Sequence, residues 1–131
     1  MIRRDLHIGR WDVEFYFADN EYDIDILIDR LYDFGAPVSI MKNALQLMEL
    51  NKENTGFTFT NPDDKCAIVA IGPSSDGSEF LNTLTHEIHH VAVAIANGLG
   101  VDLESETPAY ISGDAAKALA KSICEFGCKM N

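Results

Sequence analysis

No stretch of the chain approaches the roughly 18 consecutive apolar residues that a bilayer-spanning helix needs, so no membrane-crossing helix is expected within it. The opening "MIRRDLHIGRWDVEFYF" starts basic but alternates apolar and polar residues. It has neither a continuous apolar core nor a small-residue cleavage site, so it reads as mature protein rather than a leader. Basic residues are scarce: 10 Lys plus Arg stand against 21 Asp plus Glu, a formal net charge of −11. Such a surface repels phosphate backbones and anionic lipid heads, so neither nucleic acid nor a membrane is expected as a partner. The three cysteines, Cys66, Cys124 and Cys128, are too few and odd in number for a disulfide framework, which fits a reducing, cytoplasmic setting. Cys124 and Cys128 lie one helical turn apart, but two thiols alone make a weak metal site, and packing is the simpler reading. There is no internal repeat, low-complexity segment or linker, so residues 1–131 read as a single domain with enough apolar content for a core.

What is present is clear periodicity. "IRRDLHI" and "WDVEFYFA" alternate around Gly9-Arg10 and predict a β-hairpin with Val13, Phe15 and Phe17 on one face. Ile24, Leu27, Ile28 and Leu31 recur at helical spacing, with Asp25, Asp29 and Asp33 forming a solvated stripe and Gly35 a stop. Pro37 suits the first turn of a second helix, with Met41, Ala44, Leu45 and Met48 as its apolar stripe and an end near Asn51. "GFTFT" alternates as a strand, and "KCAIVAIG" is so continuously apolar that both of its faces should be covered. Two helical stretches follow, roughly 78–98 and 105–126, separated by the glycines of "NGLGVDLE". The order strand, strand, helix, helix, strand, strand, helix, helix predicts an α+β fold with a short, mostly antiparallel sheet packed on helices.

The first of those last two helices carries "NTLTHEIHHVAVAIANGLG", within which His86-Glu87-x-x-His90 is the chemical signature of the chain. Residues four apart on a helix share a face, about 40° apart around the axis, so both imidazoles can point at one ion. Glu87 sits about 100° from His86 and could reach a water beside that ion without being a ligand. A metal that lowers the pKa of water, next to a carboxylate able to take the proton, is the apparatus of a metal hydrolase. Phe80, Leu81, Leu84, Ile88, Val91, Ala92 and Ile95 fall opposite the histidines, predicting that the core holds one side of the helix and frees the other. His89 lies about 60° off the ligand stripe and reads as a half-exposed polar bystander.

A catalytic zinc generally takes three protein ligands and leaves one position open. No third histidine follows His90, so the remaining ligand should be a carboxylate. The candidates after the motif are Asp102, Glu104, Glu106 and Asp114, with Asp76 and Glu79 before it. Ser105 is a plausible N-cap for the last helix, with Glu106, Thr107 and Pro108 in its first turn, where a proline loses no hydrogen bond. Glu106 is then held rigidly on a helix beside the histidines and is favoured over Glu104, Asp102 and Asp114. Its ordinary alternative is to complement the helix N-terminus. Tyr110, one turn on, could donate to an oxyanion or to Glu106, or simply border the cleft. Asp114 could orient a histidine N–H.

With these residues in place, His86-Glu87-x-x-His90 followed by Glu106-x-x-Ala109-Tyr110 resembles the gluzincins, zinc metallopeptidases whose third ligand is a glutamate on a following helix. The segments "NTGFTFTN", "SSDGSEFLNTLTHEIHHV" and "ESETPAYISGD" are similar to small single-domain zinc peptidases of phages and mobile elements. The resemblance runs from about residue 54 to 120. It implies a minimal zincin-like α+β domain, one zinc ion on His86, His90 and Glu106, Glu87 as general base, and a peptide or protein substrate. Large gluzincins carry Asp where this chain has Tyr110, and they build their cleft with a large C-terminal domain, so a protein partner could complete the cleft here. A second expectation, of another class, is a catalytically silent, metal-stabilised interaction module in a phage or mobile-element assembly. The same donors would also serve hydrolysis of other amides or esters, and would accept Co, Mn or Fe.

Overall fold

The computed structural model describes residues 1–129, with side chains described through Phe126. Nine elements follow in chain order: β1 (Ile2–Ile8), β2 (Trp11–Phe17), α1 (Ile24–Asp33), α2 (Val38–Leu50), β3 (Gly56–Asn61), β4 (Cys66–Ile71), α3 (Gly77–Gly98), α4 (Thr107–Ala118) and α5 (Ala120–Lys129). The sheet order is β1-β2-β4-β3. The expected hairpin forms, with Ile2 opposite Phe17 and Ile8 opposite Trp11, and Gly9 supplies the positive φ of 60° that its turn needs. β3 and β4 also pair antiparallel, but β2 and β4 run parallel. The sheet is therefore mixed: its two outer pairings match the antiparallel expectation and its central one does not.

Alternation sorts the side chains onto two faces, each covered by helices. Val13, Phe15 and Phe17 of β2 join Ala67, Val69 and Ile71 of β4 against α3, α4 and α5, and Phe80 and Phe126 stack into this layer beside Phe17. On the opposite face Tyr16, Ile68 and Ala70 pack against Leu27 and Leu31 of α1 and Ala44 and Met48 of α2. Every residue of β4 is buried, as its unbroken apolar run requires. α1 is capped by Asp23, whose carboxylate accepts from the Ile26 N–H, and its expected acidic stripe is exposed. α2 ends at Asn51 in the left-handed conformation.

The second face also holds a buried charge that alternation alone does not announce. Glu14 is 5 % exposed and accepts from Arg3 Nη2 at 2.8 Å, Arg30 Nε at 3.0 Å and the Tyr16 hydroxyl at 2.6 Å. The carboxylate is satisfied by two guanidinium groups and a phenol, as a buried charge must be. The Arg30 pKa is driven further up, first by its hydrogen bond to Glu14. That of Tyr16 rises too, mainly through burial and then through the same carboxylate.

The last helical stretch differs from expectation in two ways. It is two helices rather than one, broken at Leu119, whose side chain is 1 % exposed and anchors the break in the core. It also begins one residue late, with Glu106 as the residue preceding α4, although Ser105 Oγ still accepts from the Thr107 N–H at 3.4 Å. Pro108 lies in the first turn, where it displaces no helical hydrogen bond. No helix among the described residues is long and apolar enough to cross a membrane.

Candidate metal centre

α3 presents the motif. The Asp76 carboxylate caps its start by accepting from the Glu79 N–H at 2.8 Å. At the other end the N–H groups of Leu99, Gly100 and Val101 turn back onto the carbonyls of Ile95, Asn97 and Ala96, with Gly100 at a φ of 70°. Phe80, Leu84, Ile88, Val91, Ala92 and Ile95 are all buried, so the core fixes the rotation of the helix about its axis. Leu81, expected on that face, is instead 49 % exposed, at the margin of the apolar stripe.

This rotation leaves His86 and His90 exposed and Glu87 buried between helix and sheet. The two imidazoles meet edge to face, with Nε2 atoms 3.2 Å apart. Two nitrogens each at a zinc–nitrogen bond length from one tetrahedral ion are about 3.3 Å apart. The separation of the pair therefore matches that of two nitrogens sharing one ion, and without an ion it is also a hydrogen-bond distance. One donor atom from each of His86, Glu87 and His90 falls within 4.8 Å of the others. His89 is exposed and outside this group, its ring centroid 6.4 Å from that of His90.

Glu87 is held by a residue that sequence reasoning missed. Thr58 of β3 donates its hydroxyl to Glu87 Oε2 at 2.7 Å. Thr58 lies on the face of β3 that looks toward α3, while Phe57 and Phe59 pack on the other layer. The signal was in the alternation of "GFTFT": its polar face had to abut something polar. Gly56 permits the close approach, because a Cβ there would stand 2.7 Å from the Ala70 carbonyl oxygen and 3.3 Å from Glu87 Cγ. Tyr22 is also near. Its hydroxyl donates to the Thr55 carbonyl at 3.3 Å, and its pKa is pushed up to about 12, chiefly by burial, with the Glu87 charge adding to the rise.

The His86, Glu87 and His90 group lies between two hollows that follow the edge of β3. One, of about 690 Å³, is lined by Gly56, Thr58, Thr60, Glu87, His90 and Asn97 among others. The other, of about 350 Å³, includes Asn54, Gly56, Asn82, Thr83, His86 and Glu87. β3 pairs only with β4, so its outer edge is open beside both hollows, whereas β4 lies between two strands and has no free edge.

The remaining expected site residues are not gathered with this group. Glu106 directly precedes α4, is exposed, and does not join the three converging donors. Tyr110 is 69 % exposed, and Asp114 is exposed as well. Asp102 is engaged locally, its carboxylate accepting from the Glu104 N–H at 3.0 Å. Cys124 is an exposed free thiol, and the side chain of Cys128 lies outside those described. No protein-family model matches the chain, and no curated protein or solved structure shows significant similarity to it.

Proposed function

We propose that the protein is a zinc-dependent metallopeptidase of the gluzincin type, with His86, His90 and Glu106 holding one zinc ion and Glu87 acting as general base. The observation that carries this reading is the 3.2 Å approach of the two Nε2 atoms, with the Glu87 carboxylate in the same group. When bound, the ion would supply polarisation of a substrate carbonyl and a lowered pKa for water. The residues do the rest. Glu87 takes a proton from the attacking water, whose oxygen ends on the carbonyl carbon, and delivers that proton to the departing amine nitrogen. Thr58 keeps the carboxylate aimed by donating to one oxygen and leaving the other for this exchange. The open edge of β3 can pair with an extended peptide and lay it across both hollows. Tyr110, 69 % exposed, lines neither hollow and has no role in these steps.

The test is direct. Purified protein is expected to carry one zinc per chain, and Glu87→Gln should keep the metal while abolishing cleavage of a peptide library. The second reading, a metal-stabilised interaction module, is favoured by one observation: Glu106 and Tyr110 are exposed and do not converge with His86, Glu87 and His90. Stoichiometric zinc without cleavage dependent on Glu87 would select it.

A further inference from the structure

The larger hollow beside His90 does not end at the end of α3. It shares Pro62 and Gly98 with a third cavity of about 270 Å³, whose apolar walls are Ile8, Trp11, Ile95 and Leu99. Arg10 and Lys65, from the two turns that close this end of the sheet, stand at the rim. Both are exposed, and neither forms an ion pair among the described residues. Two acids close by in sequence are engaged: Asp12 Oδ1 lies 2.6 Å from His7 Nδ1, and Asp64 accepts from Asn61 Nδ2 at 3.1 Å. Asp63, also close by in sequence, is exposed, but none of these acids lines the pocket: in a chain of net charge −11 the charged residues that line it are two cations with no ion-pair partner among the described residues.

We infer that this cavity is a specificity pocket for the peptide, taking a large apolar side chain followed by an acidic residue. The inference rests on the proposed peptide groove. The apolar walls offer burial, and Arg10 and Lys65 offer the neighbouring carboxylate its countercharge. Distance sets the register. Gly98 is eight residues beyond His90 on α3, about 12 Å along the axis, which is roughly three to four residues of extended chain. The preferred pair therefore sits about that far from the bond that is cut. Gly98 lines both cavities, its φ is not positive, and a Cβ there meets no heavy atom within 4 Å. A larger side chain at this position changes the lining of both without straining the backbone.

The chain's single tryptophan, Trp11, lines the pocket and reports its occupancy. Alanine-based decapeptides free of tryptophan, with a leucine-glutamate pair walked along the sequence, are titrated into zinc-loaded Glu87→Gln protein while Trp11 emission is followed. Their cleavage by the unmutated protein is measured in parallel. Peptides with the pair three to four residues from the cut should change Trp11 emission saturably and be preferred by about tenfold or more over leucine-lysine or all-alanine peptides. Gly98→Leu should abolish that preference, and Arg10→Gln with Lys65→Asn should abolish the glutamate-over-lysine part of it. Asparagine tolerates the φ of 51° at position 65, and circular dichroism checks that each variant is folded. Saturable Trp11 changes without any cleavage would support the pocket and overturn the peptidase reading. Cleavage with no leucine-glutamate preference and a silent Trp11 would overturn the pocket and leave the peptidase standing.

Discussion

The Thr58 hydroxyl on β3 donates to Glu87 Oε2 on α3 across 2.7 Å and lies 3.4 Å from the Glu87 carbonyl oxygen, so one side chain ties the open edge of the sheet to the carboxylate beside the two histidines. Glu87 is 5 % exposed, and no other side-chain donor reaches its carboxylate among the described residues. Replacing Thr58 with valine keeps the shape and removes the donor. A buried carboxylate losing its only protein donor costs about 1–3 kcal/mol. Thr58→Val should lower the unfolding free energy by that amount in denaturant titration. If the proposed peptidase reading holds, it should also reduce kcat for peptide cleavage while leaving zinc affinity near its original value, and Thr58→Ser should restore the losses in large part.

The close packing at Gly56 leads to a second expectation. A methyl group there would meet the Ala70 carbonyl oxygen at 2.7 Å and the Thr83 and Glu87 side chains at 3.2 and 3.3 Å. The carbonyl belongs to the central strand β4 and cannot yield, so the edge strand must move away from α3. Overpacking of this kind costs about 1–3 kcal/mol. Gly56→Ala is expected to lower the melting temperature and, on the proposed peptidase reading, to depress cleavage more than stability alone accounts for, because the displaced strand carries Thr58. Retention of full kcat in a folded Gly56→Ala protein would show that the position of β3 does not govern Glu87.

Much of this arrangement was legible because it depends on local spacing. His86 and His90 share a face by helix geometry alone, and the burial of β4 follows from its unbroken apolar run. What spacing cannot convey is which strand pairs with which. The parallel β2–β4 contact, which leaves β3 rather than β4 at the edge, is a consequence of tertiary assembly. The burial of Glu14 was hidden for the same reason. In sequence it is the polar position of an alternating strand, and the arrival of Arg30, sixteen residues later, to join Arg3 and Tyr16 lets it be covered. The break at Leu119 carries neither glycine nor proline, so nothing local announces it.

Tyr22 gives the protein an alkaline limit with a defined sign. Its folded pKa of about 12, set first by burial, lies above the ordinary tyrosine value near 10. Below about pH 10 the phenol is neutral in both folded and unfolded chains, and the stability is fully present. Between about 10 and 12 the unfolded chain releases this proton more readily, so stability falls as pH rises and the loss is complete above the folded pKa. The loss from this group amounts to roughly 3 kcal/mol at most. Tyr22→Phe should cost about 1 kcal/mol near neutrality through the lost Thr55 hydrogen bond. It should then lose less than the original protein between pH 10 and 12, which denaturant titrations at each pH would show.

The third ligand is the decisive test of the metal site. Glu106 precedes α4 with helical dihedrals, and α4 packs against α3. Its carboxylate lies outside the converging donors, so it would have to move to join His86 and His90. If Glu106 ligates zinc, Glu106→Ala should weaken zinc binding by more than the roughly 10–100-fold that loss of an outer hydrogen-bond partner costs. Without zinc the same variant should shift stability by only about 1 kcal/mol or less, the value of a carboxylate at a helix N-terminus. Zinc at about 100 times its Kd should stabilise the original protein by about 2.7 kcal/mol, and at that concentration most of this gain should vanish in Glu106→Ala. Glu104→Ala and Asp102→Ala should retain it. A loss confined to Glu104→Ala would move the ligand into the loop before α4, and equal affinity in all three variants would remove these three carboxylates and leave the donor group of His86, Glu87 and His90 to be tested next.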